Sequence, residues 1–75
     1  MIERKIALTT INDVKNFVNT VTRCDFSIDL SSDRYRVDGK SIMGIFSLDL
    51  SKPITLLEYT DDPAFEESIK PFVIE

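Results

Sequence analysis

The side chains able to do chemistry in this 75-residue sequence are few, and their types exclude more than they allow. Histidine is absent. That removes imidazole chemistry of every kind: a Ser-His-Asp triad, a zinc site with histidine ligands, a phosphohistidine. A single cysteine, Cys24, has no partner for a cross-link within the chain and reads as a small buried apolar side chain in a reducing compartment. Asp61 and Asp62 are adjacent and could be imagined as a metal or acid–base pair. Immediately before Pro63 they read better as the N-cap chemistry of a helix. No metal, no cofactor and no enzymatic activity are expected. What remains is Ser41, in "DGKSIMGIFSLDL" (38–50). It follows an Asp38-Gly39 turn and Lys40, at the N-cap or first turn of a short apolar helix. Capping alone accounts for a serine there, at about 1 kcal/mol. A helix start also offers amide donors and a positive dipole end to a phosphate, and Lys40 adds a cation. The residues leave both readings open, a structural cap or a phosphorylated hydroxyl.

The helix behind this serine is more apolar than packing on a sheet requires. At about 100° per residue, with Ile42 at zero, Phe46 falls near ~40°, Met43 near ~100°, Leu48 near ~240° and Ile45 near ~300°. The apolar arc is roughly 220°, against a stripe of roughly 100° or slightly more for a surface helix. Ile45 and Leu48 form the natural buried pair. Met43 and Phe46, with Ile42 between the faces, are then left partly exposed as a candidate interaction surface. The competing expectation is ordinary core, covered by the first helix or a loop, since a chain this small needs most of its apolar residues for folding.

The elements that must position these residues are short and alternate in period, which points to an α+β fold. "MIERKIAL" alternates Ile2, Arg4, Ile6 and Leu8 as a first strand. Thr10 and Asp13 have capping-box spacing ahead of a first helix over 11–23, with Ile11, Val14, Phe17, Val18 and Val21 on its core face. "FSIDL" (26–30) and "RYRVD" (34–38) form a hairpin, with Tyr35 and Val37 inward and Arg34 and Arg36 outward. The Ser41 helix follows. "PITLLEY" (53–59) is a strand that begins on a tolerated proline. The last helix has Asp62 at its N-cap, Pro63 at its first position and Phe65, Ile69 and Phe72 toward the core, and it ends or kinks before Pro71. The order is β-α-β-β-α-β-α in one domain, 1–75: a four-stranded antiparallel sheet with three helices on one face, an open-faced β-sandwich.

Net charge is −4 with no basic face, which argues against direct nucleic-acid binding. The six acidic residues from Glu58 onward, against Lys70 alone, read as a solvated acidic face. No stretch approaches the ~20 apolar residues of a membrane span, and the charged N-terminus is unlike a signal peptide, so a cytoplasmic protein is expected.

The segment around Ser41 closely resembles the regulatory-serine region of HPr, the phosphocarrier of the bacterial sugar phosphotransferase system, where the pattern is typically K-S-I-M-G-[VL]-[ML]-S-L. Seven of the nine residues from Lys40 to Leu48 match and two are conservative. The resemblance runs over roughly residues 14 to 70, and its element order is the one derived above. The family's second signature, a G-[IL]-H-A-R-P loop before the first helix, is missing. Counting back places Thr10 at the histidine, Asn12 at the arginine and Asp13 at the proline, and the loop is shorter.

The resemblance therefore implies a histidine-less member, similar to the paralogue used in catabolite repression. Ser41 would be the phosphoacceptor of an HPr-type serine kinase. Lys40, Ile42, Met43 and Phe46 would contact a catabolite-control transcription factor. The family arginine that helps hold that repressor corresponds to Asn12. Two other readings stand beside it. One is a phosphorylation-independent binding module, monomer or weak homodimer, using the Ile42–Met43–Phe46 face. The other is a phosphoryl carrier working through another residue such as Thr10, which lacks both an adjacent base and an ester reactive enough for relay.

Overall fold

The computed structural model describes residues 2–33 and 35–74. Four strands, β1 (Ile2–Ile6), β2 (Ile28–Ser32), β3 (Tyr35–Asp38) and β4 (Ile54–Glu58), alternate with helices α1 (Ile11–Val21), α2 (Ile42–Phe46) and α3 (Pro63–Ile69). All strand pairs are antiparallel, in the order β1-β4-β2-β3. This is the open-faced α+β sandwich expected. Period-two alternation supplies the buried face of the sheet with Ile6, Ile28, Leu30, Ile54 and Leu56. The helices close over it with Val14, Phe17 and Val21 from α1, Ile45 from α2, and Phe65 and Ile69 from α3.

Each helix starts where its capping chemistry dictates. Thr10 and Asp13 make the reciprocal capping box of α1. Asp62 accepts from the amides of Ala64 and Phe65 at the start of α3, with Pro63 at the first turn. That settles the Asp62 carboxylate as a cap. Pro71 does end α3: the chain tightens into a 3-10 turn over Lys70–Phe72. Phe72 packs edge-on against Phe17, with ring centroids 5.4 Å apart.

Several expectations need correction. α1 stops at Val21, α2 ends at Phe46 with Leu48 buried just beyond it, and β2 begins at Ile28, so Phe26 packs from a loop. Ile11, expected inward, is 62% exposed, at the very first position of α1. Tyr35, also expected inward, is 69% exposed, because it opens a short edge strand. Leu57 is buried on the opposite sheet face, in register with Glu3 and Asp29. Glu58 does not belong to a solvated acidic face; it is fully covered. Arg34, expected to point outward, lies outside the described residues; Arg36 is exposed and ion-paired to Asp29 at 3.0 Å. A feature with no local signal is the C-terminal segment. It pairs with the free edge of β1 through an Ile6–Val73 bridge and through hydrogen bonds from Ala7 N to Phe72 O and from Ile74 N to Lys5 O.

Candidate functional site

The chain enters α2 through a tight turn. The amide of Gly39 donates to Ile28 O at 2.9 Å, and a Cβ at Gly39 would sit 2.9 Å from the Ile28 side chain and 3.2 Å from its carbonyl, so only glycine permits this approach to β2. The Asp38 carboxylate accepts from the amide of Lys40, and the amide of Ser41 donates to Asp38 O at 3.0 Å. Ser41 thereby stands at the N-cap, where its Oγ accepts from the amide of Gly44 at 3.2 Å. The amides of Ile42 and Met43, in the first turn, have no acceptor within the helix. Gly44 leaves room for this cap: an added Cβ would come within 3.2 Å of Val37 Cβ and 3.3 Å of Ser41 Oγ.

Around Ser41 the side chains divide as the helical projection predicts. Ile45 is fully buried, Leu48 nearly so, and Ile42 lies half-buried against the core. Met43 and Phe46 face outward, 77% and 42% exposed. α1 packs against α2 without covering them. Lys40 departs from the simplest picture. Its ammonium donates to Cys24 O at 2.7 Å and so ties the α1–β2 connection to the threshold of α2. Cys24 is half-buried, its thiol donating to Val21 O at 2.8 Å, and burial pushes its pKa up. It is a packed thiol and not a thiolate nucleophile.

Thr10, which the sequence resemblance aligns with the family histidine, serves as the cap of α1. Its Oγ1 accepts from the amide of Asp13 at 3.0 Å. Asp13 Oδ2 in turn accepts from Thr9 Oγ1, Thr9 N and Thr10 N. The Thr9 hydroxyl, helped by these amides, holds the Asp13 carboxyl below its ordinary range. A carboxylate so saturated is a poor base for activating the Thr10 hydroxyl. Among the described residues no group of three or more His, Cys, Asp or Glu side chains is arranged to hold a metal, and no helix is long and apolar enough to cross a membrane.

Two polar groupings lie outside the Ser41 surface. On the open sheet face, Asp29 accepts from Tyr59 OH at 2.7 Å and from Arg36 Nε, whose guanidinium stands 5.7 Å from the Tyr59 ring centre. Beneath α3, Glu58 lies beside Glu66, and Arg4 Nε donates to Glu66 Oε2 at 3.1 Å. Strand alternation places Glu58 on the same face as Ile54 and Leu56, so the signal for its burial is present in the sequence.

No family model and no curated protein matches the chain. Among solved structures, it is similar to the crystal structure of HPr-C-His from Thermoanaerobacter tengcongensis, with a TM-score of 0.74 and 27% identity over 92% of this chain and 86% of that one. The four-stranded antiparallel sheet and its three helices, with Ser41 at the start of the second, are thus an HPr-like fold.

Proposed function

We propose that this chain is a histidine-less HPr-like regulatory module, in which Ser41 accepts a phosphate and α2 is the docking face for a protein partner. The observation that carries the reading is the pairing, on one short helix, of an N-cap hydroxyl with the outward-facing Met43 and Phe46. A phosphate there adds about −1.5 to −2 charges within reach of the unpaired first-turn amides of α2, and it stands beside an apolar patch. A partner with a basic pocket and an apolar rim recognises that combination. The resemblance around Lys40–Leu48 names the candidates: an HPr-type serine kinase and a catabolite-control transcription factor, in the cytoplasm. The role is binding and not catalysis. Relay through Thr10 lacks support, because its hydroxyl is a cap and Asp13 is not a free base.

The second reading, a binding surface that needs no phosphate, is favoured by two hydrogen bonds. Ser41 Oγ already serves the Gly44 amide, and Lys40 already serves Cys24 O. Titration of the transcription factor with unmodified and Ser41-phosphorylated chain separates the two. The proposal expects saturable binding of the phosphorylated form alone, lost in Phe46→Asp. Equal binding of both forms, or none by the phosphorylated chain under conditions where authentic phospho-HPr binds, overturns it.

A further inference from the structure

Glu58 ends β4 on the face that carries Ile54 and Leu56, and it is fully covered. Among the described residues, neither of its carboxyl oxygens meets a hydrogen-bond donor, and the covered Oε1 of Glu66 meets none either. Glu66 reaches it from α3, with its other oxygen held by Arg4 from β1 at 3.1 Å. Asp61, exposed on the β4–α3 connection, is near enough for its charge to act on Glu58, whereas the neighbours of Glu58 in register on β1 and β2 are the apolar Ile2 and Ile28. Three carboxyl groups and one guanidinium therefore share this corner. Two bare carboxylates facing each other, with Glu58 out of water and the Glu66 side chain only a quarter exposed, are strongly disfavoured, both by desolvation and by like charge. One proton removes the conflict. As a neutral acid, Glu58 donates its O–H to Glu66, two of the three otherwise idle oxygens become a hydrogen-bonded pair, and a single negative charge remains for Arg4.

We propose that Glu58 and Glu66 form a proton-binding site that fastens α3 to the sheet when loaded and loosens it when emptied. Emptying breaks the Glu58 O–H bond, gives the proton to water or buffer, and leaves two facing carboxylates against one guanidinium. Access is available from an opening of about 400 Å³ beside the pair, lined by Arg4, Asp61, Pro63, Glu66, Lys70 and Val73 among others. The strain falls on α3, whose hold on the core is Phe65 and Ile69. Burial first, then the hydrogen bond and charge of Glu66, push the Glu58 carboxyl up to about 8, while the hydrogen bond from Glu58 keeps Glu66 below the usual range. The site therefore empties just above neutrality. It is independent of any role of Ser41.

The test is carbon NMR of the full chain labelled at glutamate side-chain carboxyls, titrated from pH 4 to 10, with amide exchange of α3 measured alongside. One glutamate signal should move between pH 7 and 9 and be missing in Glu58→Gln. Over the same range, protection of α3 should fall at least tenfold further than that of β4 in the unmodified chain, and not in the variant. If every glutamate carbon titrates below pH 6, or if α3 and β4 lose protection together, the proposal is wrong. The unmodified chain alone decides the first point, so a variant that fails to fold does not rescue it.

Discussion

Replacing Ser41 tests whether its hydroxyl does more than cap a helix, because the two roles can be separated by choice of substitute. In Ser41→Ala the Gly44 amide loses its 3.2 Å acceptor. N-cap losses of this kind cost about 1 kcal/mol, and this half-exposed site has water as a partial substitute. At about 2.1 cal/mol/K of unfolding entropy per residue, a domain this size loses roughly 6 °C of Tm per kcal/mol. Ser41→Asn supplies a side-chain oxygen that caps about as well as serine, so its Tm should stay within roughly 2 °C of the unmodified chain. Neither variant can form a phosphoserine at position 41. Calorimetry should therefore separate the two variants, while partner binding after kinase treatment should be lost in both. Loss of Tm in Ser41→Asn equal to that in Ser41→Ala would refute the capping geometry. Full binding by Ser41→Asn after kinase treatment would refute the modification.

Other substitutions probe the surrounding account. Phe46→Asp should leave the melting temperature nearly unchanged, since its ring is 42% exposed, yet abolish partner binding in a pull-down. Ile45→Ala removes a fully buried side chain between α2 and the sheet and should cost about 2–5 kcal/mol by denaturant titration. For the Glu58 carboxyl, a folded value of about 8 against 4.5 in the open chain means that its stability contribution is complete below about pH 4.5 and is lost as pH rises toward 8. The loss is on the order of 2 kcal/mol between pH 5.5 and 7.5, seen as a falling urea midpoint that Glu58→Gln should flatten. Arg4→Gln removes the charge that lowers the Glu58 value, so this decline should extend to higher pH.

How much of this was legible depends on how local each signal is. The capping of α1 and α3 and the division of α2 into buried Ile45 and exposed Met43 and Phe46 follow from spacings of three and four residues, and the structure bears them out. Ile11 and Tyr35 sit at the very ends of their elements, where periodicity continues but nothing lies above to bury them. The pairing of Val73 and Ile74 with β1 joins chain segments far apart in sequence, which no window detects. For Glu58 the run of acidic residues points to solvent while strand parity points inward beside Leu56, and parity prevails. The engagement of Lys40 with Cys24 O depends on the packing of two connections and leaves no mark in the sequence.

The central claim is that the hydroxyl at the head of α2 is a phosphoacceptor, kept where the relay imidazole is gone. Intact-mass measurement after incubation with an HPr-type serine kinase and ATP tests it most directly. The account predicts one added phosphate, mapped by fragmentation to Ser41 and absent in Ser41→Asn. An unchanged mass, while authentic HPr in the same tube is fully converted, would contradict it.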